Sequence, residues 1–64
     1  MANDETIAEI ASELAGLVAR LDDLILDVLR EAVESGAEGR PVLERRLTRA
    51  RNALERAGAL LATE

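Results

Sequence analysis

Residues 6–35 read T-I-A-E-I-A-S-E-L-A-G-L-V-A-R-L-D-D-L-I-L-D-V-L-R-E-A-V-E-S, and this stretch decides the fold. Ile7, Ile10, Leu14, Leu17, Leu21, Leu24 and Val28 recur at alternating steps of three and four residues, the spacing of a heptad seam. With Ile7 at position a, Ile10, Leu17 and Leu24 take d, and Ala11, Val18, Ile25 and Ala32 take e. A second row at b and f, made of Ala8, Ser12, Ala15, Ala19, Leu26, Leu29 and Val33, keeps the same rhythm and is broken only by Asp22. These positions are contiguous on a helical wheel and span roughly 200°, whereas an ordinary surface helix carries an apolar stripe of about 100°. Most of the charge falls on the remaining arc, at Glu9, Glu13, Arg20, Asp23, Asp27, Arg30 and Glu34.

A helix apolar over that much of its circumference needs neighbours on two or more sides. The small residues of the second row can stay in water as good helix formers. Leu26, Leu29 and Val33 left in water would form an apolar patch. The pattern therefore predicts two-sided burial of the C-terminal half of this helix.

Chain length leads to the same expectation. At 64 residues there is room for one domain, and below about 70–80 residues a single core rarely supplies more than about 3–5 kcal/mol. Small domains compensate with disulfides, a metal or oligomerisation. The chain has no Cys and no His, which removes disulfides and the common zinc sites. Association is the remaining route. With no Phe, Tyr or Trp, the core must be built from Leu, Ile, Val and Ala.

The remaining punctuation is sparse. Residues 1–5 are polar and predict a frayed lead, with Thr6 as N-cap and Glu9 completing a capping box, or with Asn3 or Asp4 as the cap and a start up to a turn earlier. Gly16 falls at c inside the helix. The heptad phase continues across it, so the helix is expected to continue too, although a break near Gly16 is the alternative. Gly36 suits the left-handed position that ends a helix, and residues 36–40 form the expected loop. Pro41 suits the first turn of a second helix. That helix, over 41–62, carries Leu43, Leu47, Ala50, Leu54, Ala57 and Leu61 as an ordinary one-faced seam, widened on one side by Ala53 and Leu60. A short loop makes the two helices antiparallel neighbours.

The expected fold is therefore all-α: an antiparallel hairpin spanning 1–64 as one domain. The first helix is both wider and longer than the second. The second helix is expected to end near Leu14, leaving Ile7, Ile10 and Ala11 projecting. A homodimeric four-helix bundle supplies the missing surface, in its simplest form with the two long helices central. The expected oligomer interface comprises Ile7, Ile10, Leu14, Leu17, Leu21, Leu26, Leu29 and Val33, with a higher oligomer or a second protein as further possibilities.

The net charge of −5 is uneven: residues 1–36 carry nine acids and two Arg, and residues 37–64 carry four acids and six Arg. The acidic balance argues against general attraction to nucleic acid or anionic lipid. Charges recur too often for a transmembrane span, and the acidic start lacks a signal-peptide pattern. The expectation is a cytoplasmic protein.

Material for chemistry is scarce. Arg45, Arg49 and Arg56, with Asn52 between them, line one face of the second helix and could meet phosphates or an acidic partner. A solvated face paired with acids of the first helix is the simpler account, and the Lys, aromatic or reading motifs of nucleic-acid binders are missing. Asp22, Asp23 and Asp27 lack the carbonyl-rich loop that calcium sites use. Of the pair of readings for Asp22, a water-facing rim is preferred over a bond to an Arg of a neighbouring helix. The hydroxyls of Thr6, Ser12, Ser35, Thr48 and Thr63 have no activating base. No cofactor and no catalysis are expected. The sequence reads as an interaction protein (an adaptor, regulatory subunit or inhibitor), with a nucleic-acid-binding regulator as the alternative.

Overall fold

The computed structural model describes residues 2–36 and 40–63. Two helices, α1 (Ala2–Ser35) and α2 (Arg40–Ala62), pack against each other as a hairpin. There is no strand among the described residues.

Helix α1 begins a turn before Thr6, so residues 2–5 extend the helix instead of fraying from it, and Thr6 is not its cap. Asp4 and Glu5 lie in the first turn, where negative charge meets the positive end of the helix dipole. The helix is continuous through Gly16, where an added methyl would have open space. It ends at Gly36, whose φ is 67°. The Gly36 N–H donates to the Ala32 carbonyl at 2.8 Å, which is the simple left-handed helix cap. Ser35 Oγ donates to the Glu31 carbonyl at 2.7 Å in the same turn. Helix α2 starts at Arg40, one residue early, and Pro41 falls in its first turn, where its missing N–H breaks no helical bond. Most of the expected loop, residues 37–39, lies outside the described residues.

The register differs from the expectation. A methyl at Gly58 would sit 3.9 Å from Leu14 Cβ, and Arg51 bonds Asp22. Leu14 is thus level with Gly58 and not with the end of α2, which runs on past Leu14. Leu61, Ala62 and Thr63 share a cleft with Asp4, Ile7, Ala8 and Ala11. The projecting N-terminal part of α1 is correspondingly shorter than the sequence suggests. Side-chain contacts set this register; lining up the two helices at the loop misplaced it by about one turn.

The hairpin is a rod, 52 × 14 × 10 Å. Its radius of gyration is 15.1 Å, where a compact chain of this length has about 11 Å. Its accessible surface is 5115 Å², against about 4,000 Å² for a folded monomer of its mass. Among the described residues Val28, at 5% exposure, is the only buried apolar side chain.

Gly16 and Gly36 make opposite predictions for chemical or thermal unfolding. Gly16→Ala should stabilise the chain by about 0.5–1 kcal/mol, because the helix is unkinked and the site is open. Gly36→Ala should destabilise it by about 1 kcal/mol through its positive φ. A destabilising Gly16→Ala would mean that another helix crosses closely there.

Candidate interaction surface

The seam between α1 and α2 uses the a positions of α1 without the d positions. The half-buried or buried residues of α1 are Ala11, Leu14, Val18, Leu21, Ile25, Val28 and Ala32, from the a and e positions, together with Asp22 at b. Opposite them Leu43, Leu47, Leu54 and Leu61 are half-buried on α2, as are Arg51, Ala57 and Gly58. The seam is rotated toward the flank on which Gly58 approaches Leu14 and Arg51 reaches Asp22. The glycine allows close approach, and the hydrogen-bonded pair draws α2 to that side.

This rotation leaves the d row outside. Ile10, Leu17 and Leu24 stand exposed on one flank, Leu24 at 44%. Leu17 and Leu24 line an open groove with Arg20, Leu21 and Leu54. Helical phase places Arg46, Ala50, Ala53, Ala57 and Leu60 of α2 on the same side, away from Arg51. Leu60 is likewise exposed. The first flank is thus largely apolar, with large residues on α1 and mostly small ones on α2, and Arg20 and Arg46 stand at its edges.

On the opposite flank lie Leu26, Leu29 and Val33, all exposed, Val33 at 86%. Asp22 stands at the boundary of this patch. Arg51 Nε donates to Asp22 Oδ1 at 2.9 Å, and Arg51 Nη1 donates to Glu55 Oε1 at 2.9 Å and Asn52 Oδ1 at 3.2 Å. These bonds, that to Asp22 first and that to Glu55 second, hold the Arg51 pKa above its ordinary value. The preferred rim reading of Asp22 is corrected: Asp22 is half-exposed, as a rim requires, but it is also the acceptor that joins α1 to α2.

The eight residues proposed from the sequence for an oligomer interface fall into three groups. Leu14 and Leu21 belong to the intrachain seam while still edging the first flank. Ile7, Ile10 and Leu17 lie on or beside the first flank. Leu26, Leu29 and Val33 form the second. Ile7 also lines the terminal cleft with Leu61.

Arg45, Arg49 and Arg56 are exposed, and Arg45 and Arg49 share a shallow surface with Val42 and Arg46. Among the described residues none of these four arginines makes an ion pair within the chain, so the expected pairing of this face with acids of α1 does not occur in the hairpin. Asp27 lies 3.6 Å from Arg30 on the surface. Among the described residues no three acids converge as a metal site, and no helix is long and apolar enough to cross a membrane.

Two features escaped the sequence reading: the rotated seam and the Asp22–Arg51 bond. The signal for both was the break in the second row. An acid in an otherwise apolar row needs a partner, and Arg51, beside the seam of α2, was the basic residue nearest to it in an antiparallel hairpin. The chain matches no protein family model, no curated protein and no solved structure with which it was compared.

Proposed function

We propose that this chain is a non-catalytic, homo-oligomeric protein–protein interaction module that completes its core as a homodimeric four-helix bundle. The observation that carries the reading is the exposed row Ile10, Leu17 and Leu24 beside an alanine-lined flank of α2. Burying a leucine or isoleucine side chain stabilises by about 1.5–3 kcal/mol, and a hairpin with Val28 as the one buried apolar residue among those described has little else to draw on. Two separate chains expose about 10,200 Å². A compact body of twice the mass would expose about 6,600 Å². The difference, about 3,600 Å², lies within the range of obligate homodimers, about 2,000–5,000 Å².

The second flank has a different place in this reading. A bundle that closes over Ile10, Leu17 and Leu24 leaves Leu26, Leu29 and Val33 outside, on the far side of the Asp22–Arg51 bond. That patch is suited to a further copy or to a second protein, which makes the module an adaptor, regulatory subunit or inhibitor working by surface contact. The absence of His, Cys, Lys and Tyr from the sequence supports a role without catalysis. The acidic sequence with recurring charges fits a cytoplasmic setting.

Light scattering tests the assembly. The chain should have at least twice the 6.9 kDa monomer mass at micromolar concentration, and Leu24→Asp should reduce it to a monomer with reduced helicity, because a charge would be buried in the interface. Leu29→Asp should keep the dimer mass. A wild-type monomer at that concentration contradicts the reading.

A second reading, a nucleic-acid-binding regulator, is favoured by one observation: Arg45, Arg49 and Arg56 stand on one exposed face without an intrachain ion pair among the described residues. It predicts retardation of mixed DNA or RNA in a low-salt gel shift, lost in the Arg45/Arg49/Arg56→Ala variant. No retardation, or retardation unchanged in that variant, rejects it.

A further inference from the structure

Two arrangements can bring the apolar flanks of two hairpins face to face with two-fold symmetry. If the axis runs along the helices, each α1 lies over the α2 of the second copy, and the two α1 helices are parallel and diagonal. If the axis runs across the helices, α1 lies antiparallel over α1, and α2 over α2. We propose that a second copy of this chain docks in the first way, with each long helix packed on the short helix of its mate. This rests on the homodimer reading above and specifies its geometry.

Shape is the first argument. The open flank carries Ile10, Leu17 and Leu24 on α1 and Arg46, Ala50, Ala53 and Leu60 on α2, with the half-buried Ala57 at its inner edge. Gly58 is level with Leu14 and Arg51 with Asp22. Leu17 is therefore level with the turn holding Ala53 and Ala57, and Leu24 with Ala50. An axis along the helices preserves these levels between copies. Leu17 and Leu24 then each meet an alanine of the second copy, the large-against-small filling that close packing requires, and Ile10 falls level with the end of α2 beside Leu60. The crosswise axis sets leucine rows against each other at one edge and alanine rows against each other at the other. One edge is overfilled and the other left with voids.

Charge is the second argument, and it is independent of shape. Helix α1 carries nine acids and two Arg, and α2 carries six Arg and two Glu. Packing α1 on the second copy's α2 sets net −7 against net +4. The crosswise alternative sets −7 against −7 and +4 against +4, which repels at both edges. In the favoured arrangement Asp27, which borders the d row of α1, is level with Arg46 and close to Arg49 of the second copy. Both arginines lack an ion pair within their own hairpin among the described residues. The same packing places two parallel α1 N-termini at one end of the bundle.

With no native cysteine, single spin labels read this geometry directly. Glu5→Cys and Glu34→Cys place labels on exposed positions near the two ends of α1. With helices 8–10 Å apart and the α1 pair diagonal, electron–electron dipolar measurements should give under about 30 Å for both labelled dimers. The two sites are about 44 Å apart along α1 at 1.5 Å per residue. In the crosswise arrangement the two axial separations add to twice that, so at least one distance exceeds about 40 Å. A dimeric mass with one such long distance overturns the proposed packing and leaves the dimer standing. A monomeric mass for the unlabelled chain overturns both.

Discussion

A two-helix seam covers only one side of each helix, and α1 is apolar on more than one side. The rest of the molecule follows from that mismatch. Helix α2 takes the a and e positions of α1, leaving Ile10, Leu17 and Leu24 on one flank and Leu26, Leu29 and Val33 on the other. The result is a 52 Å rod with Val28 as its one buried apolar residue among those described. The apolar area such a hairpin encloses is small beside the entropy of ordering its backbone.

The Asp22–Arg51 bond makes the two flanks unequal. It is half-exposed, so its contribution to stability is limited by solvent screening. With the close approach at Gly58 it marks the helix register, and both lie on the flank away from the d row. The flank with Asp22 is thereby divided between a polar boundary and a small apolar patch. The opposite flank stays open along most of the hairpin and offers leucines on one helix and alanines on the other. That asymmetry is what gives the proposed dimer a preferred packing.

Much of the fold was legible in the sequence because it rests on periodicity and punctuation. The 3-4 rhythm through Gly16 predicted an unbroken helix, and Gly36 with Pro41 located the turn. Both are local signals. The seam rotation and the register were not legible in that way, since they depend on which of several adjacent apolar rows a second helix selects. The e row of Ala11, Val18, Ile25 and Ala32 looked subsidiary beside the leucines of the a and d positions. It became the intrachain contact because Gly58 and Arg51 lie on the matching flank of α2. The start of α1 was misplaced because polar residues 2–5 resemble a lead, although acids in that position favour the first turn of a helix.

The functional account rests on association and not on chemistry. An interaction module whose core is shared between copies couples its folding to its concentration, so that its surfaces exist only when the assembly does. The most direct measurement of this is the thermal midpoint followed by circular dichroism over a hundredfold dilution. Shared-core folding predicts that the midpoint falls steadily as the chain is diluted. A midpoint independent of concentration would show that the hairpin folds alone and would contradict the account.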